Sequence, residues 1–460
     1  MRKMTFKTLA AVTGGRIQEI DASREVALSQ VQTDSRQLVP GGLFLPLAGE
    51  HFDGHDFILE ALARGASSSL CSSEYFSNHK EALENKPLVI VEDTLGALRD
   101  MARWVIRDSK ATVIAITGST GKTSTKDFID SALRTTFTTA KTKGNFNNEI
   151  GMSLSILSAG ADTEIFVLEM GMNHPGEIRR LVDIAPPDIA VITNIGVSHI
   201  EFLGSRENIL KAKLEITQNM GGEGLLLLNG EDDLLSALVH RDWPFRVETF
   251  GEKEHVDHRL ESVRINAKNT YDYKLSQIGI TLGVYGRHNV LNSAPGVIIG
   301  KKLGVDAKAI QSGIEGYRGE KMRLSLQTTP RQVEIINDAY NASVDSYSSA
   351  LTLAYQLKKN RLALFFGDIF EMGDLSAQGH REVADMINPE ETFLILTKGR
   401  ASKIIGERLL ERGIDPACWI HVATFEEAAR ILNQKLEPGD HLLIKGSRGM
   451  AMERVIPLLA

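Results

Sequence analysis

Cysteine is scarce: Cys71 and Cys418 are the only two in 460 residues. They stand far apart and form no C-x-x-C pair. This excludes a disulfide framework and structural zinc, and leaves both as small buried hydrophobes in a reducing compartment. Long apolar runs are missing as well. Nothing approaches the roughly 18 residues of a membrane-spanning helix, and the opening M-R-K-M-T-F-K has no apolar core like that of a signal peptide. A cytoplasmic protein without a transmembrane segment is expected. Positive charge is not in excess either, with 52 Lys and Arg against 59 Asp and Glu and a net charge of −7. Without a broad basic face, nucleic acid is not an expected partner, and any anionic substrate must be met by local groups. Internal repeats, low-complexity tracts and a guanine-reading N-K-x-D motif are also absent.

What remains is an ordinary globular composition, 42% hydrophobic and 24% charged, in a chain too long for one core. Residues 1–107 read as a small α/β unit, with strands at Leu43 to Leu45 and Leu88 to Val91 and a helix from Leu95 to Arg107. Residues 108–317 read as a second unit. Its apolar runs at Val113 to Ile116, Ile165 to Leu168, Ile189 to Thr193 and Leu225 to Leu228 alternate with helical patterns, as in a doubly wound parallel sheet. Between Ser262 and Val284 the period falls to two, which predicts an antiparallel pair at that sheet's edge. Gly316 to Glu320 reads as a linker. Residues 318–460, with strands near Val333, Leu362, Phe393 and Leu442, read as a third, Rossmann-like unit.

The chemistry begins at Thr117 to Lys126, T-G-S-T-G-K-T-S-T-K, directly after the strand Val113 to Ile116. Gly118 and Gly121 let backbone approach phosphate, Lys122 reaches the terminal phosphates and Thr123 can hold Mg²⁺. Ser119, Thr120 and Ser124 complete the candidate nucleotide site, although Ile116 stands where the usual first glycine belongs. Doubly wound sheets gather ligands at strand C-termini. Glu169 and His199 each follow such an end, so a carboxylate and an imidazole converge on the loop as candidate Mg²⁺ ligands. Alone, either is more often a cap or a surface residue.

The helix after Ser205 carries a further signal. At about 100° per residue, Ile209, Lys213, Ile216 and Met220 share one stripe, while Lys211 lies roughly 200° from Ile209. Lys213 therefore faces the core, where burial favours the neutral amine. A neutral amine reacts with CO₂, and the resulting carbamate is an anionic metal ligand. The plainer alternative is a lysine that snorkels out or pairs with a carboxylate.

The T-G-x-x-G-K-[ST] loop resembles that of the Mur ligase and folylpolyglutamate synthase superfamily, and A-K-L-E-I at Ala212 to Ile216 is similar to its A-K-x-E segment. Further similar motifs run across almost the whole chain. They are D-S-R at Asp34 to Arg36, F-D-G-H-D-F at Phe52 to Phe57, G-N-F-N-N-E-I-G at Gly144 to Gly151, N-I-G-V-S-H at Asn194 to His199, G-R-H-N-V-L-N at Gly286 to Asn292, N-D-A-Y-N-A-S at Asn337 to Ser343, G-D-I-F-E-M-G at Gly367 to Gly373 and K-G-S-R-G-M at Lys445 to Met450. The set resembles the Mur ligase family, in the branch that adds a dipeptide to the peptidoglycan precursor. Leu214 departs from the family's A-K-G-E, and Tyr340 stands where the D-glutamate-adding branch carries a lysine.

The resemblance implies three α/β domains that bind UDP-substrate, bind ATP and close over the site. It implies an ADP-forming ligase that uses ATP and Mg²⁺ to join D-alanyl-D-alanine to UDP-N-acetylmuramoyl-tripeptide through an acyl phosphate, in a chain expected to be monomeric. Lys122, His199 and Lys213 would be catalytic. Thr123, Glu169, His199 and carbamylated Lys213 would hold metal. Asn289, Asn292, Arg323, Asp338 and Asn341 would contact the nucleotide. Asp34, Ser35, Arg36, Asn147, Asn148, Lys445, Ser447 and Arg448 would bind the other substrates. Without the family, Asn289 and Asn292 are a helix start and Asp34 to Arg36 a capped turn. Folylpolyglutamate synthase is the rival enzyme, usually lacking a separate UDP-binding domain, and a nucleotide-dependent switch is the rival from another class.

Overall fold

Runs of four to six apolar residues, too short for helices and flanked by turn residues, build three stacked α/β units. The computed structural model describes residues 2–49 and 52–459; residues 1 and 460, which bound the outer units as read from sequence, lie outside them. In the first unit a five-stranded sheet runs in the order Arg16–Gln18, Leu88–Val91, Ser68–Ser72, Leu43–Phe44, Val31–Gln32, parallel except for its first pair.

The central unit carries seven parallel strands ordered His258–Arg259, Arg246–Gly251, Leu225–Asn229, Ile189–Ile192, Thr112–Thr117, Ile165–Glu169, Thr139–Lys141. Val113 to Ile116 are all buried because helices cover both faces. Thr112–Thr117 sits in the middle, between Ile165–Glu169 and Ile189–Ile192, so three strand ends meet at the phosphate loop. The third unit has six strands, Ser325–Thr328, Glu334–Asp338, His441–Lys445, Leu362–Gly367, Leu394–Lys398 and Trp419–His421, parallel apart from the first.

Two expectations need adjustment. The alternating stretch from Ser262 to Val284 is not an edge pair of the central sheet. It is a separate three-stranded antiparallel sheet, Glu261–Ile265, Thr270–Leu275 and Ile278–Tyr285. Its inward residues Tyr273, Ile280 and Leu282 share a core with Phe128, Val290 and Ala294 of two helices. Alternation reveals a half-buried strand but not what it packs against. The boundary drawn at residue 107 falls inside the helix Thr94–Ser109. That helix buries Leu98, Met101 and Val105 in one apolar cluster running from Phe6 and Leu9 to Met152, Ile178 and Leu226. The segment from Gly316 to Glu320 does lack helix or strand, between the helix Ala307–Glu315 and the strand Ser325–Thr328. Among the described residues no helix is long and apolar enough to cross a membrane.

Candidate functional site: a cleft lined by the central and third units

A cleft of about 1100 Å³ opens above the C-terminal ends of the central strands. Its floor is the phosphate loop from Ser119 to Ser124. Gly118 and Gly121 hold φ of +148° and +80°, and Gly121 immediately precedes the helix Lys122–Leu133. A side chain at 121 would run into the Asn292 amide, so only glycine suits both backbone and space. Neighbouring strand ends brace the loop. Asn194 Oδ1 accepts from the Thr120 N–H at 2.9 Å, its Nδ2 donates to Thr120 Oγ at 2.7 Å, and the Gly196 N–H donates to Ser119 Oγ at 2.9 Å. Lys122 Nζ donates to the Gly118 carbonyl at 2.7 Å, folded back over the loop it serves. Burial, with Arg323 adding, pulls Lys122 below the ordinary lysine range, against the opposing pull of Glu169 and Glu371.

Thr123 is the junction. Its hydroxyl donates to Glu169 Oε2 at 2.8 Å and accepts from Arg323 Nη2 of the third unit at 3.0 Å. Asn147 Nδ2 donates to the other oxygen of Glu169 at 2.8 Å. The hydroxyl and carboxylate together are hard oxygen donors of the kind Mg²⁺ prefers, and Arg323 marks where positive charge is favoured. No group of three His, Cys, Asp or Glu could hold a metal among the described residues, so the remaining donors would be phosphate, water or a modified lysine. His199 lines the cleft, its backbone at φ +65°. Its Nδ1 lies 2.6 Å from Glu371 Oε2 of the third unit. It is a close polar contact that is not aligned as a hydrogen bond. The contact with His199, aided by the charges of His199 and Lys122, holds Glu371 below the usual carboxylate range.

Lys213 ends the helix Arg206–Lys213 and is 1% exposed, while Lys211 is exposed. The helical phase is as expected, and Ile209 and Ile216 are buried beside it. Lys213 has no ion pair or hydrogen bond with another described residue. Burial first, and the nearby charge of Lys122 second, push it well below the ordinary lysine value. It is not among the residues that line the cleft.

Asn289 and Asn292, the proposed adenine-side residues, lie together in the cleft. Asn289 donates to the Tyr285 carbonyl at 2.6 Å and accepts from Asn292 at 3.1 Å, and both line the cleft. From the third unit Arg323, Asp338, Asn341, Lys445 and Arg448 also line it. Lys445 is buried and spans from Asp338 Oδ2 at 2.5 Å to the Asn341 carbonyl at 3.1 Å. Other candidates fall elsewhere. Asn148 caps the helix Glu149–Leu157 through the Gly151 N–H at 2.8 Å, and Ser447 Oγ accepts from the Phe370 N–H. Asp34, Ser35 and Arg36 form a capped turn outside the cleft lining. There Asp34 accepts from the Arg36 backbone and guanidinium, which lower its pKa to about 2, and the Arg36 side chain is 80% exposed.

Two neighbours carried no assigned role in the sequence reading. Lys126 closes the phosphate-loop run yet is wholly buried, 4.0 Å from Glu169 Oε2 and donating to the Gly144 carbonyl at 3.1 Å. Its signal was its place one helical turn after Lys122. Glu371 lies within the quoted G-D-I-F-E-M-G run, but nothing local shows that it crosses to another domain.

Comparison with known proteins matches this architecture segment by segment. The family descriptions are Mur ligase family, catalytic domain, over residues 27–104, Mur ligase middle domain over 116–300, and Mur ligase, glutamate ligase domain, over 322–448. UDP-N-acetylmuramoyl-tripeptide–D-alanyl-D-alanine ligase of Bacillus subtilis (strain 168) is 36% identical over 459 residues, covering 99% of this chain and 98% of that protein. The Escherichia coli (strain K12) enzyme of the same name is 29% identical over 477 residues, covering 100% and 99%. Among solved structures, MurF from Acinetobacter baumannii superposes with a TM-score of 0.87 at 28% identity, covering 99% and 98%. MurF ligase from Thermotoga maritima in complex with ADP gives 0.79 at 27%, covering 94% and 97%. Three family descriptions that together span most of the chain, and a full-length relative at 36% identity, show that the chain belongs to the Mur ligase family.

Proposed function

We propose that this chain is an ATP-dependent, ADP-forming amide ligase. It joins D-alanyl-D-alanine to UDP-N-acetylmuramoyl-tripeptide and yields UDP-N-acetylmuramoyl-pentapeptide, ADP and phosphate. The observation that carries the reading is Thr123. The phosphate-loop hydroxyl is bound at once by the strand-end Glu169 and by Arg323 of the closing domain, which assembles phosphoryl-transfer chemistry at a domain interface. Folylpolyglutamate synthase is disfavoured by the five-stranded N-terminal unit and by the names of the full-length relatives. ATP and a UDP-linked substrate place the enzyme in the cytoplasm.

Amide formation from a carboxylate requires activation. The substrate carboxylate oxygen attacks the γ-phosphorus, ADP leaves, and an acyl phosphate forms. The Lys122 ammonium, the loop N–H groups, the helix N-terminus and Arg323 stabilise charge on the transferring group. Thr123 and Glu169 would hold one Mg²⁺, and His199 with carbamylated Lys213 a second. Magnesium, when bound, neutralises phosphoryl oxygens. Burial favours the neutral amine of Lys213 and so suits carbamate formation, in which the Nζ lone pair adds to CO₂ carbon and one N–H proton leaves to solvent. The dipeptide amine then attacks the acyl carbon and loses a proton, and the tetrahedral intermediate expels phosphate. Asn289 and Asn292 would lie against adenine. Asp338, Asn341 and Lys445 would meet the nucleotide and acceptor from the closing domain, whose approach keeps water from the acyl phosphate. Asn147 orients Glu169, Arg448 would serve the acceptor side, and the Asp34–Arg36 turn would serve the UDP end. Release of ADP measured with UDP-muramoyl tripeptide, with and without D-alanyl-D-alanine, tests the proposal. Turnover indifferent to the dipeptide would refute it.

A further inference from the structure

His199 and Glu371 meet across the boundary between the central and third domains, and both are non-glycine residues in the left-handed region, at φ +65° and +62°. Such backbone is costly for a residue that carries a side chain and persists where the surroundings impose it. The loop carrying Glu371 is imposed on by buried groups at its root. Asp368 accepts from the Arg400 and Ser402 N–H groups at 3.0 and 2.7 Å. The fully buried His380 accepts from the Ile369 N–H at 3.1 Å through Nε2, while its Nδ1 lies 2.7 Å from the Ser376 carbonyl. Ser447 Oγ accepts from the Phe370 N–H at 2.8 Å. Held on three consecutive residues, the loop delivers Glu371 to the central domain. There its carbonyl accepts from the Glu201 N–H at 3.4 Å and its carboxylate reaches His199 Nδ1 at 2.6 Å.

We infer that Glu371 is a positioning residue for His199, supplied in the closed arrangement by the third domain. The carboxylate, 2.6 Å from Nδ1, disfavours a bare lone pair on that nitrogen, fixes the ring by charge and proximity, and leaves Nε2 as the nitrogen that would face metal. A histidine that ligates metal commonly gives its other N–H to a carboxylate, which sets tautomer and ring orientation. Here that partner comes from another domain, so the metal-binding geometry is complete only on closure. Ser447 then acts by holding the loop that carries Glu371. The inference rests on the reading of His199 as a metal ligand.

The test is binding of Mn²⁺, followed by loss of its free EPR signal, to the full chain with ADP present. Asn is chosen at 371 because it tolerates positive φ yet is one methylene too short to reach the imidazole; Gln keeps the reach and an acceptor oxygen. Glu371→Asn is expected to weaken Mn²⁺ binding about 10-fold or more, with metal-free ADP binding unchanged. Glu371→Gln should stay close to the parent, and Glu371→Asn added to His199→Ala should cost nothing further. Parent-like Mn²⁺ binding by Glu371→Asn, a Gln variant as impaired as Asn, or additive losses in the double variant would each overturn the inference. An unaffected His199→Ala would instead overturn the metal reading beneath it.

Discussion

Lys213 offers the most exposed test of the chemistry. It is 1% exposed, lacks a hydrogen bond or ion pair among the described residues, and is pushed well below the ordinary lysine range by burial and Lys122. If it serves as a carbamate, Lys213→Ala removes an anionic ligand from phosphoryl transfer. The expected fall in kcat is on the order of 10²–10³-fold, or about 3–4 kcal/mol of transition-state stabilisation. Formate or acetate should restore part of it by occupying the vacated space. The solvent-facing Lys211 supplies the control, since Lys211→Ala should leave turnover and stability near the parent. Stripping CO₂ from the buffer should lower wild-type activity, and bicarbonate should return it. Stability gives an independent sign. Without CO₂ the unfolded chain binds a proton at Lys213 that the folded chain gives up, so wild-type stability rises with pH between the depressed folded value and the ordinary lysine value. Lys213→Met, of similar length and uncharged, should therefore melt higher than the parent. The advantage should be greatest below the folded value and vanish as pH approaches the ordinary one. An essential Lys211 with a dispensable Lys213, or activity indifferent to CO₂, would refute the reasoning.

Lys122→Ala should lower ligation at least about 10²-fold, since its charge lies nearest the transferred group; a coupled ADP assay reads it, and near-normal turnover would displace the ATP site. Glu169→Ala and His199→Ala should each raise the Mg²⁺ concentration for half-maximal activity, and unchanged titrations in both would move the metal elsewhere. Protease cleavage within Gly316 to Glu320 should slow when nucleotide and UDP-substrate are both bound, whereas equal rates would argue against a closing third domain. Gly406→Ala should destabilise the third domain by about 1–3 kcal/mol, because the new methyl would overlap the Trp419 indole. A melting temperature equal to the parent's would show that the indole can move aside.

The strands that position the cleft were legible because both faces of the central sheet are covered, so each strand is a plain apolar run. Lys213 was legible because helical phase is local. Its stripe holds although the helix gives way to a 3-10 turn at Leu214–Thr217. Less visible were roles set by distant segments. Asn148 has the same residue type as Asn147, yet one caps a helix and the other orients Glu169. Only the strand register after folding separates them. Ser447 sits in an inviting glycine turn, but its hydroxyl serves a neighbouring loop. Glu371 stands 172 positions along the chain from its partner His199, and no periodicity encodes such a meeting.

The helix Thr94–Ser109 joins the first two units through one continuous apolar cluster rather than a strip of surface contact. No seam is left along which they could part without stripping Leu98, Met101 and Val105 of their neighbours. The first two units therefore form mechanically one piece, and residues 316–320, without helix or strand, lead from it into the third. Excising the N-terminal unit would wound the ATP-binding one, so a soluble half-enzyme is to be sought by cutting within residues 316–320 and not after the first unit.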